Sequence, residues 1–510
     1  ASHSANIVAG SGGFYMNSID DGGNPRFQNM TITDLTITDD HTFIRSGTKG
    51  IEIFDGNVNT LSNTSAVMPF AFITSTYNTG YMVGNIKGAF LSNTNTTNVT
   101  GTELVTNGTF ATNTDNWTAN GSTLPTLSVD TNRLKLTHNG ANGGAYQNIT
   151  TVVGETYVIS ADLTNGNASY IRLRAYGDGS TGDGFQGTSY IGDSITSTSA
   201  TSTSLTLVAE TTTTRIYIEI IGTNAEYAFT DNVVARLADP DRSLNNNGLQ
   251  VFGTITKSAV ATGADLVGYS GWSTSNNLIR PYNSDLNFGT GDFSFTTWAK
   301  TSNDDAHNNY IIRSGLLING NTWSGNGQAL LVYNNQHKPV LNVTANNFTS
   351  STQVVGPSNL NDGIWHHIVA LRRSGTLEMY VDGNLVSTQS GSTQNVVNTS
   401  RKLMIGHVDD AVGFWKGDLA LIRISVSSPS ATQIKKIYED EKVLFQENAK
   451  ATIYGSSDAV TALAFDDDTN LLHVGTSGGR SDFQGLRRIN NTTTAVTTAI
   501  SASNDLVAEQ

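Results

Sequence analysis

The stretch that decides the fold is "DGIWHHIVALRRSGTLEMYVDGNLV", Asp362–Val386. Two apolar runs in it, "LEMYV" and "NLV", flank the dipeptide Asp382–Gly383. Asp-Gly between apolar strands favours a type I′ turn, so the stretch predicts an antiparallel hairpin. On the preceding strand, His366 and His367 are neighbours and must point to opposite faces. We therefore interpret these histidines as framework residues rather than as a shared metal or acid–base site.

The same pattern extends outward along the 510 residues. Short runs of alternating apolar residues, bounded by Gly, Asn, Asp and Ser, recur throughout, while helical periodicity is nearly absent. One helix is predicted at Pro429–Lys450, with Ser430 as its N-cap and an apolar face formed by Ile434, Ile437, Tyr438 and Leu444. The sequence thus predicts an all-β protein with one short helix near the C-terminus.

Composition limits the partners. The chain contains no cysteine, which excludes disulfides and Cys-based metal sites. Its net charge of −14 argues against nucleic acid, because phosphate binding requires a basic patch. No apolar run approaches the roughly 18–20 residues that span a bilayer, so we predict no membrane insertion.

A repeated pattern flanks the centre of the chain. Strands beginning at Ile7, Phe43 and Tyr81 follow each other at a near-constant interval, and Leu471–Val496 repeats the plan. These units resemble β-propeller blades, whose repeats carry four strands each. A closed propeller usually takes about four to eight blades. The chain offers too few blades to close a propeller. We therefore expect either further blades outside this sequence or a homo-oligomer, a trimer, in which several chains contribute blades around one axis.

Two different segments interrupt the repeats. "ELVTNGTFATNTDNWTANGS" from Glu103 and "TDNVVARLADPDRS" near Ser243 resemble the family 4/9 type of carbohydrate-binding jelly roll. "LNFGTGDFSFTTWAKT", Asp362–Val386 and "RKLMIGHVDDAVGFWKGDLALIRIS" follow in an order that resembles the laminin-G/concanavalin A-like lectin superfamily. The expected fold class is two jelly-roll β-sandwiches inserted between blade-like repeats. The expected units are blade repeats at 1–102, a first sandwich at 103–243, a second at 244–428, a helical connector at 429–450 and a blade at 451–510.

The order of these pieces carries a wider resemblance. "ADPDRSLNNNGLQVFGTITKSAVATGADLVGYSG" and the sequence after the predicted helix resemble modules of tail-fibre and structural proteins of aquatic tailed bacteriophages. This resemblance implies a virion appendage for host attachment, located on an extracellular particle. Its partners would be copies of itself, other virion proteins and host cell-surface polysaccharide, bound multivalently. A purely structural or decorative virion protein is the alternative.

Glycan binding needs aromatic side chains on which the apolar faces of sugars stack. The candidates near predicted loops are Trp323, Tyr333 and Trp415 in the second sandwich and Tyr146, Tyr170 and Tyr176 in the first. Core packing is the alternative interpretation for each of them. Calcium is the expected ion, because hard cations take loop oxygens. Its candidate ligands are Asp304, Asp305, Asp409 and Asp410, if their two loops meet at one end of the sandwich.

Catalysis is not predicted. Glycosidases need two carboxylates, about 5 Å apart in retaining enzymes and further apart in inverting ones. Glu378 and Asp382 are the best local candidate pair, but the turn explains Asp382 and an exposed strand face explains Glu378. No nucleophile elbow, phosphate-binding glycine loop or HExxH helix is present. A surface-polysaccharide hydrolase is therefore the least favoured hypothesis, and we expect a protein that is not an enzyme.

Overall fold

The computed structural model describes backbone and side chains for most of the chain beyond residue 70. The described ranges there are 71–140, 142–176, 189–304, 308–314, 328–345, 350–356, 360–396, 402–407, 413–466, 468–503 and 506–509. Before residue 71 it describes the strands given below, and of their side chains only that of Ile51.

The N-terminal strands form one six-stranded sheet and a small two-stranded sheet. They are β1 (Asn6–Gly10), β2 (Gly13–Asn17), β3 (Phe27–Met30), β4 (Asp34–Leu35), β5 (Phe43–Gly47), β6 (Gly50–Phe54), β7 (Leu61–Ser62) and β8 (Ala71–Ile73). The large sheet has the order β3-β2-β1-β5-β6-β8, and β4 pairs with β7. Hairpins do begin near Ile7 and at Phe43, but β1 and β5 pair in parallel and join them into one six-stranded sheet, not into separate four-stranded blades.

The prediction that Tyr81 begins a third blade is wrong. The strand in this region is β9 (Ile86–Phe90), and β10 (Val99–Gly101) follows. β9 pairs with Asp418–Ser425 of the second sandwich rather than with another blade strand. Two buried carboxylates cover its other edge, because Asp241 accepts the N–H of Ala89 at 2.8 Å and Asp239 that of Leu91 at 3.0 Å. Long-range hydrogen bonds thus assign β9 to the second sandwich, and sequence periodicity does not report such bonds.

The first sandwich contains ten strands. They are β11 (Thr118–Gly121), β12 (Thr126–Val129), β13 (Leu134–Thr137), β14 (Gly143–Thr150), β15 (Thr156–Asn165), β16 (Tyr170–Tyr176), β17 (Ser189–Ile191), β18 (Thr201–Val208), β19 (Thr213–Ile221) and β20 (Tyr227–Asp239). One sheet has the order β11-β14-β19-β16-β17 and the other β12-β13-β20-β15-β18. Alternate residues of both sheets, such as Leu136, Ile159 and Ile218, fill one apolar core between them.

The second sandwich begins directly after the first. Its strands are β21 (Leu249–Ala259), β22 (Val267–Ser270), β23 (Asn277–Arg280), β24 (Phe293–Lys300), β25 (Asn309–Ser314), β26 (Gln328–Tyr333), β27 (Pro339–Thr344), β28 (Ser351–Val355), β29 (Trp365–Arg373), β30 (Thr376–Val381), β31 (Asn384–Ser390), β32 (Leu403–Ile405) and β33 (Asp418–Ser425). One sheet runs β21-β23-β32-β25-β26-β27-β28. The other runs β33-β24-β29-β30-β31, with β22 and β9 along β33. A short 3₁₀ turn, Ser284–Leu286, lies between β23 and β24.

The hairpin predicted at the outset is confirmed. Asp382 and Gly383 both have positive φ, 49° and 75°, which a type I′ turn requires. The two histidines occupy opposite faces of β29, because His367 is fully buried beside Trp298 whereas His366 contacts Asp382.

The single α-helix, α1 (Ala431–Glu441), packs on the outside of the sheet that contains β29. Its N-terminus is as predicted, since Ser430 and Gln433 form a capping box. Its C-terminus is earlier than predicted, and a 3₁₀ turn, Lys442–Phe445, replaces the last turns. No helix in the described part of the chain is long and apolar enough to cross a bilayer.

The C-terminal strands are β34 (Val460–Asp466), β35 (Leu471–Thr476), β36 (Gly479–Gln484), β37 (Arg487–Asn491), β38 (Ile500–Ser503) and β39 (Leu506–Glu509). The first four form an antiparallel sheet in chain order, as the blade prediction requires. Ile51 and Ile73 share an apolar core with Val474, Phe483 and residues of α1. The two ends of the chain therefore meet, and the sandwiches are insertions between them.

Candidate functional site

The outer face of the sheet β11-β14-β19-β16-β17 in the first sandwich carries an unusual set of side chains. Residues of one parity on β16 and β19, such as Leu173 and Ile218, point into the core. Residues of the other parity form the opposite face, which we call the tyrosine–arginine face. Its described members with large or charged side chains are Tyr146, Tyr170, Arg172, Arg174, Tyr176, Arg215, Tyr217 and Glu219.

Strand register arranges these side chains in rows across the sheet. One row runs Tyr146, Tyr217, Arg174, and the next runs Gly144, Glu219, Arg172. A Cβ on Gly144 would lie 2.8 Å from Cζ of Tyr217, so the tyrosine ring lies over the glycine. Glycine at this position therefore leaves room for an aromatic ring flat against the sheet.

Each arginine of the face lies over a tyrosine ring. The guanidinium carbon of Arg215 is 3.9 Å from the ring centroid of Tyr146. Those of Arg172 and Arg174 are 5.3 and 5.2 Å from the centroids of Tyr170 and Tyr176. Such cation–π contacts restrict the guanidinium planes before any ligand arrives.

Glu219 is the acidic member of the described face. Its Oε1 accepts a hydrogen bond from Nη1 of Arg174 at 2.8 Å, and its Oε2 accepts one from Nε of Arg172. A carboxylate held by two guanidinium groups orients both of them.

The face is open at one side and covered at the other. Tyr146, Tyr170, Arg172 and Arg174 are half-buried. Tyr176, Arg215 and Tyr217 are 0%, 1% and 3% exposed, and burial raises the pKa of Tyr217 well above its usual range. A ligand can therefore contact the half-buried tyrosines and arginines directly. The buried residues, Tyr176, Arg215 and Tyr217, lie beside them and are covered by the protein.

The aromatic residues predicted to bind sugar in the second sandwich do not form such a face in the described part of the chain. Tyr333 and Trp415 are each 1% exposed and meet edge to face in the core, with ring centroids 5.0 Å apart. Both are core residues, and neither offers a ring to a sugar. Trp323 lies outside the described residues.

The acidic loops are described only in part. Asp304 accepts a hydrogen bond from Nδ2 of Asn361 at 2.6 Å, whereas Asp305, Asp409 and Asp410 lie outside the described residues. A Cβ on Gly413 would collide with the carbonyl oxygen of Asn308, so the described flanks of the two loops are in contact. Within the described ranges, no group of three or more His, Asp or Glu side chains is placed to hold a metal ion.

The structure thus brings the three tyrosines predicted in the first sandwich onto one face and adds residues that were not predicted. The additions are Tyr217, Glu219 and the three arginines, Arg172, Arg174 and Arg215. A signal for them exists in "YIRLRAY" and "TRIYIEI", where apolar residues alternate with Tyr, Arg and Glu. In both segments these residues recur at period two, which places them on the face opposite the apolar core.

The side chains of the described face are suited to binding a sugar. Tyrosine rings accept the apolar C–H faces of sugars, and the fixed guanidinium donors suit hydroxyl or carboxylate oxygens. Glycoside hydrolysis needs two carboxylates on one face, and the described face has Glu219 alone.

Known proteins offer distant likenesses. No curated protein matches the chain. The binding domain of Paraclostridial Mosquitocidal Protein 1 is 14% identical over 48% of this chain and 62% of its own, with a TM-score of 0.32. The receptor binding domain of botulinum neurotoxin C/D mosaic serotype is 12% identical over 49% and 59%, with a TM-score of 0.32. Domain 4 of AbnA, a GH43 extracellular arabinanase from Geobacillus stearothermophilus in complex with arabinotriose, is 14% identical over 39% and 92%, with a TM-score of 0.30.

The chain covers less than two thirds of the first two of these structures, and likenesses at this level carry no conclusion about ligands. The second sandwich has a more specific relationship. Residues 273–435 match the family described as the concanavalin A-like lectin/glucanases superfamily. This part of the chain is similar to that family, and its two packed antiparallel sheets form a lectin-like jelly roll.

Proposed function

We propose that this chain is a glycan-binding attachment protein whose ligand surface is the tyrosine–arginine face of the first sandwich. The observation that carries the proposal is that four tyrosines and three arginines converge on the face opposite the core. The lectin-type second sandwich supports the same class of function.

Physical chemistry favours binding at this face. A half-buried tyrosine gives a sugar a flat apolar surface and loses little side-chain entropy on binding. The ion pairs with Glu219 and the cation–π contacts hold the polar groups in place, so little further ordering is needed when a ligand docks.

The finer proposal is a virion appendage, of the tail-fibre or spike type, that attaches to host cell-surface polysaccharide. The order of modules in the sequence supports it, and a homo-oligomer, a trimer, would present several weak sites together and raise the avidity. Calcium at the loops that contain Asp304, Asp305, Asp409 and Asp410 belongs to the same proposal, as does assembly with other virion proteins.

One structural observation favours the alternative of a purely structural virion protein. Within the described part of the chain, β31 pairs with β30 and with no other strand, and most of its residues are exposed. An open edge of this kind can accept a strand from another chain.

Substitution of the open tyrosines tests the proposed site. Tyr146→Ala and Tyr170→Ala should each weaken binding to a bound oligosaccharide by roughly tenfold, since an aromatic contact contributes about 1 kcal/mol or more. Tyr227→Ala is the matched control, because Tyr227 is a half-buried tyrosine on the opposite sheet of the same sandwich. The measurement is calorimetric titration with the best ligand from a glycan array. Equal affinities for all four proteins would contradict the proposed site.

A further inference from the structure

We infer that the ligand of the tyrosine–arginine face is an anionic glycan, one that carries carboxylate or sulfate groups. This inference rests on the proposed function, because it names the ligand class of the same surface.

The first observation is charge. Three arginines against one glutamate leave the described face with an excess of two positive charges. The chain as a whole carries −14. A positive surface on an acidic protein attracts anionic glycans and exerts no comparable attraction on neutral ones. It therefore selects ligands by charge.

The second observation is the state of Arg215. Its side chain is 1% exposed, and its Nε donates to Oδ1 of Asn148 at 3.0 Å. No carboxylate in the described part of the chain forms an ion pair with it. No described carboxylate neutralises its charge, which therefore adds to the positive potential at the open arginines beside it, where an anionic ligand would dock.

The third observation is unused donor capacity. A guanidinium group has five N–H donors in a planar fork. Arg172 and Arg215 each direct Nε to a described partner, while their Nη groups make no hydrogen bond to any described residue. Neutral sugar hydroxyls both donate and accept, whereas a face with surplus fixed donors matches groups that only accept. Carboxylate and sulfate oxygens are such groups, and they take the arginine fork in a bidentate manner.

A glycan array with matched pairs tests this inference. It should present uronic-acid, sialylated and sulfated oligosaccharides beside their methyl-esterified, asialo and desulfated counterparts. We expect the full chain to bind anionic members and to lose roughly tenfold or more in affinity for the neutralised partners. The esterified and desulfated arms distinguish a carboxylate ligand from a sulfate ligand. Rising salt should weaken binding, because it screens the charges of the open arginines.

Variants assign the effect to the face. Arg172→Gln and Arg215→Gln should each reduce affinity for the anionic ligand. Arg133→Gln should not, because Arg133 directly precedes β13 of the opposite sheet and lies over Phe229 of β20, 4.0 Å from its ring centroid. If Arg215→Gln does not fold, the half-buried Arg172 and the salt titration of the unaltered chain still decide the matter.

The outcomes separate the two proposals. Equal binding of neutral and anionic members, or anionic binding that Arg133→Gln reduces as much as Arg172→Gln, would overturn the inference and leave glycan binding intact. No binding to any member would contradict glycan binding itself, and the inference with it.

Discussion

Asp382 combines two roles at the scale of a single residue. Its position in the type I′ turn is a property of the local sequence. Its side chain then closes the end of the sheet, because Oδ1 accepts the N–H of His367 at 3.0 Å and Oδ2 meets Nδ1 of His366 at 2.9 Å. Asp362 approaches the other ring nitrogen of His366 at 3.3 Å. One imidazole therefore lies between two carboxylates.

This contact makes the stability of the second sandwich depend on pH. Burial acts to lower the pKa of His366, but the hydrogen bonds and charges of Asp382 and Asp362 outweigh it and raise the pKa above its ordinary value of 6.5. The folded state thus favours the protonated ring. The stabilisation is complete below pH 6.5 and is lost as the pH rises through the raised value.

We expect His366→Asn to remove that pH dependence. Urea unfolding at several pH values from just below 6.5 upward measures it. His337→Asn is the control, since the described residues include no ion-pair partner for His337. A His366→Asn chain that loses stability over this range as steeply as the unaltered chain would contradict the assignment.

At the scale of the element, α1 is held by its C-terminal residue rather than by its apolar face alone. The fully buried Glu441 forms an ion pair with Arg423 of β33 and accepts hydrogen bonds from Nε1 of Trp298 at 2.8 Å and the N–H of Tyr81 at 2.7 Å. It thereby connects the helix, the second sandwich and the N-terminal segment. These contacts depend on residues far apart in the chain, so the helical periodicity of the sequence does not report them.

Glu441→Gln should therefore destabilise the folded chain by about 3 kcal/mol or more, because it leaves the Arg423 charge buried and unpaired. Chemical denaturation followed by tryptophan fluorescence reports it, since Trp298 lies in the same contact. Glu439→Gln, on the exposed side of α1, should change little. Similar losses of unfolding free energy in both variants would show that the buried ion pair contributes no more to stability than the exposed one.

At the scale of the whole molecule, the two ends of the chain share one core with α1 and with Trp298, Ala420 and Leu421 of the second sandwich. Buried contacts also join the sandwiches, where Nη1 of Arg280 donates to Oγ1 of Thr206 at 3.0 Å. Burial lowers the pKa of Arg280 to about 10. A binding face mounted on such a rigid base suits multivalent display.

We predict that the chain forms a stable homo-oligomer in solution. Light scattering with and without a calcium chelator measures its mass. A trimer would support pooled N- and C-terminal units, and dissociation on chelation would add a structural calcium. A well-folded monomer under both conditions would contradict the pooled arrangement and remove avidity from the proposed mechanism.

Local sequence determined the features that depend on neighbouring residues. The all-β class, the Asp382–Gly383 turn, the Ser430 cap and the four-strand pattern of the C-terminal unit all follow from alternation and turn chemistry, which act over a few residues. The choice of Tyr146, Tyr170 and Tyr176 as one group also came from the sequence, because all three lie in the first sandwich.

Tertiary structure alone decided what depends on residues far apart in the chain. It placed β9 in the second sandwich, buried Tyr333 and Trp415, and set Arg215 over Tyr146 across two strands. Aromatic residues satisfy the same alternation in a core and on a ligand surface, so only the packing of the opposite sheet separates the two. The tyrosine–arginine face exists because strand register brings together residues of β14, β16 and β19, and register is fixed by long-range hydrogen bonds and burial.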